Sequence, residues 1–283
     1  MQYENRQPSE GVNVSRVHPL RRFLQLAASA IILAVLIVVL LQVSGSWLAR
    51  LVPFQFELSV MQGLDINFGD NEDHPQMASY LDELAQRVAS HMDLPEQMQI
   101  AVHYNRQDVF NAFATVGGNL MFYRALLKEM PNENTLAMVM AHEIAHVLHR
   151  DPVASLGGGV ASTLALLALT GSSGSNVAGS VLGNASTITS VKFSKRMESS
   201  ADEVALAALN SLYGHVNGAA ALFEMFSAAR GPQPQSSRLL EQFLSTHPLD
   251  ADRIQAVTEQ AVANGWQTDG RLTPLPDEFA RWL

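Results

Sequence analysis

Ala141-His142-Glu143-Ile144-Ala145-His146-Val147 is the stretch on which the reading of this chain turns. On a helix, His142 and His146 lie four residues apart, so both imidazoles project from one face, a turn from each other. Two neutral ring nitrogens so placed can bind one Zn²⁺. Glu143 is rotated by about 100° from His142, which sets its carboxylate beside the metal rather than on it. There it can take a proton from a water that attacks a carbonyl.

The flanks predict that helix. Asn132, Asn134 and Thr135 follow Pro131 with side chains suited to capping, and Leu136, Met140, Ile144 and Val147 recur at helical spacing. His149, Arg150 and Asp151 lead into Pro152, read here as a stop. The helix is apolar on most sides, which predicts burial, and a buried helix carrying two His and a Glu needs a reason that a metal supplies. The H-E-x-x-H spacing is that of zinc peptidases.

The chain has 283 residues, enough for one or two domains with a large core, and contains no Cys, which excludes disulfides and thiolate ligands. The net charge is −9, distributed as +2 over residues 1–43 and −11 beyond, a balance that argues against a nucleic-acid partner.

Residues 1–22 are polar and read as an unstructured cytoplasmic segment. Arg16, Arg21 and Arg22 precede an apolar run from Phe23 to Val43 interrupted only by Gln25, Ser29 and Gln42. Twenty-one helical residues span about 31 Å, the thickness of a bilayer core. The Arg cluster predicts a cytoplasmic N-terminus and an extracytoplasmic remainder, an inner-membrane, single-pass arrangement with a periplasmic domain. Ser44-Gly45-Ser46 is a poor cleavage site, so the run is read as a retained anchor rather than a signal peptide.

Residues 44–74 are read as a linker, with partial alternation through Leu51, Val52, Phe54, Phe56 and Leu58 favouring a short strand or extended chain. A helix is expected from His74 to Met92, with Met77, Leu81, Leu84, Ala85 and Val88 inward, and a strand from Met98 to Tyr104. Gly117-Gly118 marks a hairpin between Asn111-Ala112-Phe113-Ala114 and Asn119-Leu120-Met121-Phe122, and a helix begins at Ala125. Val153 to Thr170 is apolar but Gly-rich, and 153–191 is read as a buried or membrane-adjacent helix followed by a mobile Gly/Ser loop. Helices are expected at Ser199–Leu212, with Gly214 as C-cap, and at Asn217–Arg230, Leu239–Phe243 and Ala251–Asn264. An irregular tail follows, 265–283 in the domain plan. The domain itself is placed at 75–264.

Two His leave a tetrahedral zinc short of protein ligands. Glu198 and Asp202, four apart on one helix face, are the best source: Glu198 as ligand, Asp202 behind a ligating His. The alternative is an ordinary acidic first turn. His149 is read as a cation at a helix end, and His103, His215 and Met98 as packing or surface residues.

Taken in order, Asn111-Ala112-Phe113-Ala114 with Gly117-Gly118, His142-Glu143-Ile144-Ala145-His146, Ser194 through Glu198 to Asp202, and Thr246-His247-Pro248 with Arg253 resemble the membrane-associated zinc metallopeptidases that include the HtpX-type heat-shock proteases and the CAAX prenyl proteases. The resemblance covers roughly residues 75–260. It implies a gluzincin fold, mainly α (α+β) with a small sheet edging the cleft, with Glu198 as third ligand and Asp202 supporting a ligand. It also suggests that an edge strand at Ala112–Ala114, next to Asn111, pairs with an extended substrate, the alternative being that these residues simply pack with Asn111 capping a turn. His247 is read as an oxyanion donor, as the occupant of zinc's open position, or as a structural His, with Arg253 supporting the same wall. The expected protein is a membrane-anchored zinc endopeptidase with one Zn²⁺ and protein or peptide substrates. Its rivals are a tethered chaperone or scaffold with a zinc site, and a protease restricted to prenylated or intramembrane peptides. Oligomeric state is not legible in the sequence.

Overall fold

The computed structural model describes residues 18–62, 69–170, 192–221, 246–247 and 251–283. The expected loop at 171–191, the helix at 239–243 and the N-terminal segment before His18 lie outside them. So does the helix expected at 217–230 beyond its start, residues 219–221, which is helical.

The helices are α1 (Pro19–Ala49), α2 (Phe54–Gln62), α3 (Pro75–Ala89), α4 (Arg124–Lys128), α5 (Glu133–Leu148), α6 (Asp151–Thr170), α7 (Lys195–Tyr213), α8 (Ala251–Ala263) and α9 (Phe279–Trp282). They surround three strands, β1 (Ala101–Asn105), β2 (Ala112–Thr115) and β3 (Asn119–Tyr123). The sheet order is β1-β3-β2, with β1 parallel and β2 antiparallel to the central β3. This is the mainly helical fold with a small sheet that the sequence predicts.

Helix α5 is the centre of the core. Every residue from Glu133 to Val147 is buried, because α3 and α7 pack on two sides and β2 on a third. Asn132 caps its start by accepting from the Thr135 N–H. The five inward residues expected on α3, Met77, Leu81, Leu84, Ala85 and Val88, are all buried in the same cluster. The hairpin forms at Gly117 and Gly118, with φ of 72° and 75°, a region that glycine enters without strain.

Two local expectations are corrected. The stretch from Trp47 to Gln62 is two helical segments joined by a turn at 50–53 rather than extended: α1 runs to Ala49, and α2 buries Phe54, Glu57 and Met61 on one face. That i, i+3, i+7 stripe escaped notice because its middle member is a carboxylate. Pro152 does not stop a helix. The chain breaks at Arg150 (φ 60°), and Pro152 sits in the first turn of α6, where its missing N–H costs no helical bond.

Helix α1 has 31 residues with a mean hydropathy of 2.9 in its most apolar window and none of that window buried. Among the described residues it is the one helix long and apolar enough to cross a membrane. Helix α6 packs along its second half. A Cβ on Gly157 would lie 2.5 Å from the Ala49 Cβ and 2.8 Å from the Gly45 carbonyl oxygen, so the two backbones approach as only small residues permit. The tail from 265 is irregular as expected, apart from α9, but it docks: Thr273 donates to the Asn134 side chain and accepts from the Glu133 N–H.

Gly118 has both a positive φ and no room, since a Cβ there would lie 2.0 Å from the Gln99 carbonyl oxygen. Gly118→Ala should destabilise the protein by more than about 2 kcal/mol, read as a lower melting temperature, while Ala at Gly159, where a Cβ meets nothing, should not.

Candidate active site

Helix α5 presents His142 and His146 from one face. Their Nε2 atoms are 3.1 Å apart and the rings meet nearly perpendicular, at 88°. Helix α7 crosses α5 and inserts Glu198, whose Oε2 lies 3.5 Å from His142 Nε2 and whose Oε1 lies 3.5 Å from His146 Nε2. His247, just before α8, places Nδ1 3.1 Å from Glu198 Oε1. One ligand atom from each of these four residues falls within 4.8 Å of all the others, and all four residues are buried.

Behind the donors stands a second tier of charge. Asp202, one turn after Glu198, is 2.9 Å from His142 Nδ1, and Asp151 Oδ2 is 3.0 Å from His146 Nδ1. Arg253, from α8, holds Asp202 through two bonds of 2.7 and 2.8 Å and reaches Glu198 Oε2 at 2.7 Å. Burial alone would raise the Glu198 carboxyl, but the imidazoles of His247, His142 and His146 hold it well below the usual carboxylate range. Asp202 is likewise held down, against burial, by His142 and Arg253.

The residues fit a metal. A carboxylate only accepts, so Asp202 and Asp151 require both Nδ1 atoms to carry hydrogen. Each neutral ring then turns its Nε2 lone pair toward the other ring and toward the Glu198 oxygens. Such a convergence of lone pairs is stable only around a cation. Without a metal a proton takes that place: although burial lowers it, His142 is raised to about 10 by its bonds to Asp202 and Glu198. Imidazole and carboxylate donors suit a divalent transition metal.

Glu143 points into the same space from α5. It is fully buried and neither carboxylate oxygen has a hydrogen-bond partner, with His247 Nε2 3.6 Å from Oε1. A buried carboxylate in that condition is costly and calls for a ligand. Phe193, ahead of α7, stacks on His146 with ring centroids 3.9 Å apart. β2 packs against α5 and forms an edge of the sheet among the described residues, with Ala112, Phe113 and Ala114 all buried and the Asn111 carbonyl oxygen of the side chain unpaired.

Comparison with known proteins accords with this geometry. The model of peptidase family M48 matches residues 75–261. The chain belongs to this family. Relatives include the beta-barrel assembly-enhancing protease of Escherichia coli K12, 38% identical over 78 residues, which cover 27% of this chain and 15% of that protein. The mitochondrial metalloendopeptidase OMA1 of Schizosaccharomyces pombe is 31% identical over 159 residues, 56% of this chain and 45% of that one. Metalloprotease YcaL of Escherichia coli K12 is 28% identical over 165 residues, 57% and 61% of the two chains. The matched stretches thus span between 15% and 61% of these relatives' lengths.

The M48 fold brings together every residue singled out around the His pair: His142, Glu143, His146, Glu198, Asp202, His247 and Arg253. Asp151 was missed as a site residue, because it reads as the lead-in to Pro152. The available signal was an acidic residue five after His146 at a helix start. His149 lies off the metal-facing side as expected, at the C-cap of α5. Burial pushes its pKa down, against the pull of Asp151, which weakens the helix-end cation role.

Asp202→Ala would leave the His142 Nδ1 hydrogen and the Arg253 guanidinium without their acceptor. It should weaken metal affinity about 10–100-fold, measured by chelator competition.

Proposed function

We propose that this M48 chain is a membrane-anchored zinc metalloendopeptidase that cleaves misfolded or envelope proteins. The observation that carries the reading is Glu143: a fully buried carboxylate with neither oxygen hydrogen-bonded, beside four converging donors. A structural metal site has no use for such a group, which disfavours the tethered chaperone or scaffold.

His142, His146 and Glu198 would hold the zinc. Bound there, zinc supplies Lewis-acid polarisation of the attacking water and the scissile carbonyl. Glu143 accepts the water's proton and passes it to the leaving amine. Asp202 and Asp151 keep both imidazoles in the tautomer that offers Nε2, and Arg253 fixes Asp202 and Glu198 as one unit. An extended substrate would pair along β2 at Asn111–Ala114, main chain to main chain, which tolerates varied side chains.

Residues 75–264 form the peptidase domain in this reading, 23–43 the membrane span, and the Arg16, Arg21 and Arg22 cluster keeps the N-terminus cytoplasmic, with the domain on the periplasmic side of an inner membrane. A relative named for enhancing β-barrel assembly fits an envelope-protein substrate. A single-span arrangement departs from the multi-span members of the family, which disfavours a prenyl-protein substrate and favours envelope-protein quality control. Glu143→Gln keeps the side-chain shape but cannot accept the proton. It should abolish casein cleavage by the full chain in detergent while zinc remains bound at wild-type stoichiometry, and an active Gln variant would remove Glu143 from the mechanism.

For His247 the geometry favours one of the three readings. Its ring belongs to the donor group, so His247 would be a fourth residue holding the metal, and a substrate would compete with it there. His247→Ala should then raise peptidase turnover with zinc retained by the other three ligands. A fall in kcat of about 10²–10³ at unchanged KM would instead assign it to the oxyanion.

A further inference from the structure

The reversal between α5 and α6 is held from outside the peptidase domain. In a continuous helix, position 151 would point about 140° away from His146. The chain instead breaks at Arg150, a non-glycine residue at φ 60°, and restarts at once as α6, which returns the Asp151 carboxylate to His146 Nδ1 at 3.0 Å. A left-handed arginine is strained and persists only where its surroundings enforce it.

Those surroundings come from the segment that leaves the apolar helix α1. Arg150 donates to the Val52 carbonyl oxygen at 2.6 Å, pairs with Glu57 Oε1, and lies over the Phe54 ring at 5.9 Å. Glu57 is itself buried, and its other oxygen accepts from the Gly117 N–H at 2.9 Å, tying the same segment to the turn that follows β2. Arg50, immediately after α1, meets the remaining oxygen of Asp151 at 2.8 Å. Asp151 is 1% exposed and Arg50 41%, so the pair reaches from solvent to the back of a metal ligand in two bonds.

We propose that residues 50–57 are a working part of the metal centre: Arg50 and Arg150 set Asp151, and Asp151 orients His146, so that the docking of α1 on α6 governs how well the site holds its metal. The inference rests on the metal-site reading above and adds to it a positioning role for Asp151 and Arg50. The helix α1 is then more than a tether. Its register against α6, fixed by the close contact of Gly45, Ala49 and Gly157, fixes Arg50 relative to Asp151. A change in that register changes the hydrogen bond behind His146 without touching the ligands.

A helix-start Asp also complements the α6 dipole, and a purely structural role would follow from that alone. Two features separate the roles. A positioning role must appear in the ligand field of the metal, and Arg50 must act through Asp151 and by no other path.

The test uses the full chain in detergent micelles, loaded with Co²⁺ in place of zinc and read by its visible spectrum and by chelator competition. Asp151→Ala should weaken affinity about 10–100-fold and shift the cobalt bands, while the isosteric Asp151→Asn, which keeps an acceptor for the Nδ1 hydrogen, should lose less. Arg50→Ala removes a partly exposed ion pair and should weaken affinity about two- to fivefold, with Arg50→Lys largely restoring it. In an Asp151→Ala background, Arg50→Ala should have no further effect, because its path is already cut. Gly157→Leu, which forces α1 off α6, should reproduce the Arg50→Ala spectrum. Wild-type affinity and spectrum in Arg50→Ala would overturn the proposal, as would an Arg50→Ala loss of the same size in both backgrounds. Glu198→Ala serves as the reference. If it binds cobalt as wild type does, the metal-site reading fails; if it loses cobalt while the Arg50 and Asp151 variants do not, only the present inference fails.

Discussion

Two imidazole nitrogens 3.1 Å apart, with a carboxylate oxygen 3.5 Å from each, form the constraint to which the rest of the molecule answers. Such a group does not hold itself together. The lone pairs repel, and burial withdraws the water that would screen them. Each donor is therefore fixed from behind by a partner that cannot be mistaken for a ligand: Asp202 behind His142, Asp151 behind His146, Arg253 behind Glu198. Every one of these partners is itself buried or bonded to another charge. The geometry of the front is a consequence of the saturation of the back.

That requirement explains the architecture around α5. A helix buried on all sides from Glu133 to Val147 must be met by apolar surface except at the donors and at its first turn, where Glu133 meets Arg87, Tyr80 and Tyr213. α3 and the sheet supply the apolar contact, while α7 supplies the crossing that brings Glu198 and Asp202 within reach. The four-residue spacing works twice: on α5 it pairs two ligands, and on α7 it pairs a ligand with the support of another. Arg253 then joins Glu198 and Asp202, so that α5, α7 and α8 are locked by a few charged bonds of 2.7–2.9 Å rather than by packing alone.

The sequence made some of this legible and hid the rest for physical reasons. The α5 motif, the α7 carboxylates and the hairpin were readable because helical spacing and glycine conformations are local properties. The mainly helical fold with a small sheet was implied by the resemblance that these motifs carry when taken in order. Residues 47–62 were misread because Glu57, a buried carboxylate satisfied by Arg150 and Gly117, interrupts the apolar stripe that would have announced α2. Asp151 was invisible as a site residue because its role depends on a chain reversal at Arg150, and a positive φ at arginine leaves no compositional mark. In both cases the missing information was a partner distant in sequence.

The same bonds bear on how a closed site can work. His146, Glu143, Glu198 and His247 have no exposed surface, and His142 only 4%, so hydrolysis requires the site to open. The strength of its surroundings is uneven. The rear is held by charge-assisted bonds from Asp202, Arg253, Asp151 and Arg50, each of which leaves a buried charge behind if broken. Among the described residues, the front carries the stacking of Phe193 on His146, a backbone bond of 3.3 Å from the Phe193 N–H to the Thr246 carbonyl oxygen, and the contact of His247 Nδ1 with Glu198 Oε1 at 3.1 Å. Parting Phe193 from His146 exposes an aromatic ring and an amide, which water can satisfy. The contacts of Phe193 are therefore the ones whose loss strands no buried charge, whereas each bond of the rear, and that of His247 to Glu198, does.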